Sequence, residues 1–138
     1  MTELIDTHTH IYLPEFDSDR DEAVARAVDS GVKILLMPNI DKDSIGSMLC
    51  VKERYPGICR IMFGLHPTSV KADYEMQLVE IFRISPNYVY IAVGEIGIDL
   101  YWDKTYVREQ TIAFKKQVEF ALGKDLPVVI HARESFRE

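Results

Sequence analysis

Three features of the sequence predict an α/β fold, a partial TIM-like (β/α) barrel of about five parallel strands with intervening helices. Five short runs are almost continuously apolar rather than alternating, as expected of parallel strands covered on both faces. Helical patterns separate these runs, and the first four runs begin about 28 residues apart, at 4, 32, 60 and 88. Histidines and one glutamate collect at the ends of the runs, where the strand-to-helix loops of a barrel converge on one pocket.

The first predicted strand runs from Leu4 to His8 and opens into Asp6-Thr7-His8-Thr9-His10. A helix follows with Ala23, Val24, Ala27 and Val28 on one face, Asp17 or Ser18 as cap, and Gly31 after its end. The second strand spans Val32 to Met37, and its helix carries Ile45, Met48 and Leu49 and stops before Pro56. The third strand spans Arg60 to Leu65. Its helix is capped by Asp73, buries Leu78, Ile81 and Phe82, and ends at Ser85-Pro86. The fourth strand runs from Tyr88 to Glu95. The helix after it sets Phe114, Val118, Ala121 and Leu122 at helical spacing, with Gly123 at its end, and the fifth strand covers Pro127 to His131. Parallel strands joined this way take right-handed crossovers. No linker or low-complexity tract interrupts them, so residues 1–138 read as a single domain.

Composition narrows the function. With 47% hydrophobic and 28% charged residues the chain can bury a core. Its formal charge of −6 argues against coating nucleic acid through a broad basic surface, and Lys115-Lys116 is the sole adjacent basic pair. A phosphodiester substrate would therefore need bound cations to offset its charge. No apolar stretch reaches the roughly 20 residues that span a bilayer, and the N-terminus lacks a basic region followed by an apolar one, so the expectation is a cytoplasmic protein without a membrane partner. Cys50 and Cys59 lack a metal-type spacing and read as reduced thiols.

The polar residues at the strand ends carry the chemistry. His8 and His10, one residue apart on a strand, point to the same face about 7 Å apart, close enough to lean onto one ion. Solvent-facing strand-end histidines are the alternative. Asp6 shares their face, as a ligand or as the acceptor that fixes the tautomer of a ligating imidazole. Glu95 ends an apolar strand between Gly94 and Gly97. It is either one member of a structural ion pair or a carboxylate bridging two metal ions through its two oxygens. Asp99 reads as a loop cap. His131 ends Val128-Val129-Ile130 and reads as a ligand. Arg133, two residues on, is suited to a substrate oxyanion or phosphate, or else to a surface salt bridge with Glu134 or Glu138. His66, fixed into a loop by Pro67, is placed to orient substrate or shuttle protons. An open nucleotide-binding sheet would want a Gly-rich turn after the first strand, and Ile11-Tyr12-Leu13-Pro14 stands there instead.

Taken together, Asp6-Thr7-His8-Thr9-His10, Gly64-Leu65-His66-Pro67, Gly94-Glu95-Ile96-Gly97-Ile98-Asp99 and Val129-Ile130-His131-Ala132-Arg133 resemble the TatD-type metal-dependent deoxyribonucleases of the amidohydrolase superfamily. The resemblance extends from residue 4 to about 135 and takes in Tyr101-Trp102-Asp103-Lys104. It implies a TIM-like barrel with two divalent ions, of which Mg2+, Mn2+ and Zn2+ are not distinguished: His8 and His10 on one, His131 on the other, Glu95 between them. It also implies DNA or single-stranded nucleic-acid ends as substrate, with Tyr101 and Trp102 stacking on a base or else packing over the barrel mouth.

The resemblance stops short of completeness. The family supplies a further histidine ligand from its sixth strand and an aspartate from its eighth, and the sequence ends just after the fifth. A complete barrel takes about 250 residues. The sequence alone thus reads as the N-terminal portion of a barrel, incomplete for activity, with open sheet edges available for self-association. Three functions follow from it: a phosphodiesterase acting on DNA, such as a 3′-end exonuclease; an amide or aminoacyl-ester hydrolase using the same metals, since metal-bound hydroxide attacks carbonyl carbon as well as phosphorus; or an inactive truncated barrel.

Overall fold

The computed structural model describes residues 3–137. Its main elements are β1 (Leu4–Asp6), α1 (Arg20–Asp29), β2 (Val32–Met37), α2 (Ile45–Arg54), β3 (Cys59–Ile61), α3 (Tyr74–Ile84), β4 (Val93–Asp99), α4 (Val107–Gly123) and β5 (Val128–Arg133). One-turn 3-10 helices lie at Pro14–Phe16, Pro67–Ser69 and Ser85–Asn87. Among the described residues five strands alternate with four α-helices, and every pairing between these strands is parallel.

The strands stand in chain order, β1-β2-β3 in one ladder and β4-β5 in another. Phe63, beyond the end of β3, bridges to Val93 and closes the seam between the ladders, with its carbonyl accepting the Gly94 N–H at 2.9 Å. Asn39, fully buried just past β2, stitches the same seam. Its N–H donates to the Gly94 carbonyl at 3.0 Å, its own carbonyl accepts the Glu95 N–H at 3.1 Å, and its Nδ2 donates to the Gly64 carbonyl at 3.0 Å. The Gly94–Glu95 peptide is thereby held by Asn39 from the end of β2.

Strand limits depart from the sequence reading in ways that move the functional residues. β1 stops at Asp6, leaving His8 and His10 on coil, and β3 stops at Ile61. β4 begins at Val93 rather than Tyr88 because Ser85-Pro86-Asn87 forms a 3-10 turn and the Tyr88 and Tyr90 rings pack on Phe63. It then continues to Asp99, paired with β5 up to Arg133, so Glu95 lies inside a strand instead of at its end.

The helices follow their apolar spacing, with corrections at the termini. Asp19, not Asp17 or Ser18, stands at the N-cap of α1, and it makes no side-chain cap bond. Arg20 ties that end of the helix to the preceding loop instead, donating to the carbonyls of Ile11 and Leu13 and to the Asp17 carboxylate. Asp73 does precede α3, but its carboxylate accepts from the Gln77 amide rather than from a backbone N–H. Gly123 is the last residue of α4, and Leu122 is 75% exposed, off the face that Phe114, Val118 and Ala121 present to the sheet.

A large core joins α1, α2 and α3 to the first ladder through residues such as Val24, Met48, Ile61, Leu78 and Ile81. A smaller one sets α4 against β4 and β5 around Val93, Ile96 and Ala121. All of β4 is buried, as parallel strands should be. The outer strands are not: Leu4, Ile5 and Ile130 are 47%, 55% and 57% exposed, because β1 and β5 each have a single neighbouring strand among the described residues. Cys50 and Cys59 are free thiols, as expected, and burial pushes the Cys59 thiol up to about 11. Among the described residues no helix is long and apolar enough to cross a membrane.

Candidate metal centre

Glu95, 6% exposed, projects from β4 into a ring of four imidazoles. On one side its Oε2 lies 3.0 Å from His8 Nε2 and 3.5 Å from His10 Nε2, and those two nitrogens are 3.3 Å apart. On the other side its Oε1 lies 3.0 Å from His131 Nδ1 and 3.6 Å from His66 Nε2, with 3.2 Å between the two nitrogens. These side chains come from β4, β5 and the coil segments after β1 and β3. The convergence of strand ends expected of a barrel therefore holds for residues far apart in sequence.

The donor chemistry fits divalent cations. Ligands about 2.1 Å from such an ion, at about 90 to 109° to each other, are themselves about 3.0–3.4 Å apart. Two of the three spacings on each flank of Glu95, from 3.0 to 3.3 Å, fall in that range, and the third, 3.5 Å on one flank and 3.6 Å on the other, lies just above it. Two groups of three, His8 with His10 and Glu95, and His66 with Glu95 and His131, are each close enough to hold an ion, and they share the carboxylate.

Hydrogen bonds to the outer ring nitrogens decide what the inner ones offer. His131 Nε2 donates to Asp99 Oδ2 at 2.8 Å, since an ionised carboxylate can only accept. This leaves Nδ1 bare toward Glu95 Oε1, and two acceptors 3.0 Å apart repel unless a proton or a cation lies between them. His66 is wired the opposite way. Its Nδ1 accepts the backbone N–H of Thr68 at 3.2 Å and sits 2.7 Å from the Thr68 hydroxyl, so its ring proton is on Nε2, facing the centre. His10 Nδ1 lies 3.0 Å from the Tyr12 hydroxyl.

Electrostatics mark the same spot. Burial pushes the Glu95 carboxyl upward, yet the surrounding imidazoles, His66 and His8 among them, outweigh it and hold the group far below the usual carboxylate range. Asp99 behaves alike: burial raises it, while the His131 hydrogen bond and the backbone N–H groups of Tyr101 and Trp102 bring it below its ordinary value. A strongly anionic focus inside a ring of imidazoles is the charge pattern a cation would complete.

The remaining predicted residues sit around this centre with different partners. Asp6 Oδ1 accepts the backbone N–H of His8 at 3.1 Å, so its carboxylate shapes the loop rather than holding an imidazole. Among the described residues Arg133 forms no ion pair with Glu134, and Glu138, the other expected partner, lies outside them. Its guanidinium lies 3.7 Å from the centroid of the Tyr101 ring and 5.4 Å from that of Trp102, an exposed cation–π cluster beside the site. Asp99 is the loop cap expected, through the N–H groups of Tyr101 and Trp102, and also the His131 acceptor that sequence reasoning passed over. The signal was available: Glu95, Gly97 and Asp99 alternate along one face of β4. Asn39 was missed outright.

The family model described as TatD related DNase matches residues 5–138. The chain belongs to this family. It is 31% identical over 134 residues to a protein of Escherichia coli strain K12 named the uncharacterized metal-dependent hydrolase YjjV, covering 95% of this chain and 51% of that one. It is 29% identical over 132 residues to the 3′-5′ ssDNA/RNA exonuclease TatD of Pantoea sp. strain At-9b, covering 96% and 51%. The crystal structure of the Escherichia coli YjjV protein superposes with a TM-score of 0.86 at 29% identity, over 95% of this chain and 51% of that one. That of a TatD-family hydrolase from Entamoeba histolytica gives 0.80 at 18% identity, a likeness of fold. The chain spans about half the length of the TatD relatives it matches. The α/β reading, with five parallel strands forming part of a TatD-type barrel, is thus confirmed.

Proposed function

We propose that this TatD-family chain hydrolyses phosphodiester bonds at the 3′ ends of single-stranded nucleic acid, DNA above all, with two divalent ions held by His8, His10, Glu95 and His131. One observation carries the proposal: the two oxygens of a single buried carboxylate face two separate imidazole pairs at ligand-to-ligand spacing. The ions would polarise the phosphoryl oxygen and lower the pKa of a bound water to supply the nucleophile. They also supply the positive charge that a chain of net charge −6 otherwise lacks at a phosphodiester.

The chain's own groups divide the other tasks. Glu95 sets the spacing of the two flanks. Asp99 keeps His131 Nδ1 free of its proton, and Asp6 holds the His8 backbone in the loop that presents both strand-end imidazoles. His66 has an N–H at Nε2 turned toward the centre, suited to donate to a non-bridging phosphoryl oxygen or to the departing one. Tyr101 and Trp102 offer exposed faces to a terminal base, and Arg133, already seated on Tyr101, can grip the adjoining phosphate without leaving the ring. The relatives named as 3′-5′ ssDNA/RNA exonucleases support this substrate class.

The test incubates the purified chain with 3′-labelled single-stranded DNA and RNA, an aminoacyl ester and a cyclic amide, with Mg2+, Mn2+, Zn2+ or chelator. Release of the labelled 3′-terminal mononucleotide only in the presence of metal is expected. Turnover of the carbonyl substrates alone would reassign the chemistry. Metal uptake without any cleavage would leave a metal-binding half-barrel and end the nuclease reading.

A further inference from the structure

His10 has no strand to hold it, and a free neutral imidazole exchanges its proton between two nitrogens. What selects one is Tyr12, which is 1% exposed and sits in the main core. The Tyr12 hydroxyl is 2.6 Å from the carbonyl oxygen of Pro38 and 3.0 Å from His10 Nδ1. A carbonyl has no proton to give, so the phenolic hydrogen points to Pro38 and the oxygen has only lone pairs left for the ring. His10 Nδ1 must then be the donor. Its proton is fixed on the outer nitrogen and Nε2 is bare, 3.5 Å from Glu95 Oε2 and 3.3 Å from His8 Nε2.

The anchor point adds precision. Pro38 immediately precedes Asn39, the residue whose N–H and carbonyl bond the Gly94 carbonyl and the Glu95 N–H of one peptide unit. Tyr12 thus ties His10 to the same end of β2 that holds Glu95, so imidazole and carboxylate share one reference. Edge-to-face packing of the two rings, 5.7 Å between centroids, limits ring rotation further.

We propose that Tyr12 is a positioning residue for the metal centre, fixing His10 as an Nε2 ligand through an oriented phenol that adds no charge. This rests on the metal reading above. A purely structural Tyr12, filling the core and satisfying Pro38, would leave the His10 tautomer free.

The experiment records the histidine ring nitrogens by long-range 1H–15N NMR on the metal-free chain, wild type and Tyr12→Phe, and then titrates each with Zn2+ calorimetrically. Wild-type His10 is expected to be protonated at Nδ1 alone. In Tyr12→Phe both tautomers should appear, and affinity on the His8–His10 flank should drop about 10- to 100-fold, the usual effect of losing a partner behind a ligating histidine, with the His131 flank unchanged. A wild-type His10 protonated at Nε2, or an unchanged tautomer and affinity in the variant, overturns the proposal. The wild-type spectrum decides it even where Tyr12→Phe fails to fold. A wild-type chain that takes up no Zn2+ sinks the metal reading and the ligand half of this proposal, while the tautomer half is judged on the metal-free spectrum alone.

Discussion

The two flanks of Glu95 present similar nitrogens by different means. On the Oε2 flank, His8 and His10 stand on coil beyond β1, with side chains 39% and 23% exposed. On the Oε1 flank, His131 is part of β5 and His66 opens a 3-10 turn, and they are 21% and 13% exposed. The coil flank is held from behind by a neutral phenol and the strand flank by a buried carboxylate. Where a strand fixes the backbone, a single charged partner suffices to settle the ring. Where coil must do so, the chain adds ties from elsewhere: Arg20 grips Ile11 and Leu13, and Asp6 grips the His8 N–H.

The most severe way to break this comparison is to remove what the flanks share. Glu95→Gln should abolish measurable Mn2+ uptake on both sides, whereas His131→Ala should cost only the strand flank and halve the stoichiometry seen by calorimetry. Equal loss in the two variants would mean a single ion rather than two. A milder change separates the orienting partners. Asp99→Asn preserves shape and can still cap Tyr101 and Trp102, but it withdraws the charge behind His131, so affinity on that flank should fall about tenfold with the His8–His10 flank untouched. Elemental analysis of both variants checks the count.

The smallest effect is on acid stability. Glu95 and Asp99 are both held below their ordinary values of 4.5 and 3.8. A carboxyl depressed by folding contributes stability in full above its unfolded value, and that contribution is lost as pH falls toward the folded one. Urea midpoints should therefore hold steady down to about pH 4.5 and decline below it, with a shallower decline in Glu95→Gln. A decline of equal steepness in both proteins would show that other groups govern acid unfolding.

Much of this was legible in the chain because parallel strands write long apolar runs and chemistry gathers at their ends. The five strands, four helices and the quartet His8, His10, Glu95 and His131 all follow from that logic. The limits of β4 were not legible, since Tyr88, Val89 and Tyr90 have the composition of a strand and only the Pro86 turn and the Phe63 ring pull them out of the sheet. Tyr12 and Asn39 escaped for another reason. Each acts through a partner distant in sequence or through a backbone atom, and no local spacing announces a bond from Tyr12 to Pro38 or from Asn39 to Gly64. Asp6 shows the converse: its proximity to two histidines suggested an imidazole partner, while a nearer backbone N–H claimed it.

Gly97 occupies the strand position midway between Glu95 and Asp99, with φ at +148°. A Cβ there would come within 1.9 Å of the carbonyl oxygen of His131. Nothing compressible therefore separates the backbone bearing the acid from the backbone bearing the imidazole, and the gap between them is set by main chain against main chain. Even one methyl group at this position would force the two strands to shift against each other and change the spacing that the carboxylate and the ring present to a cation.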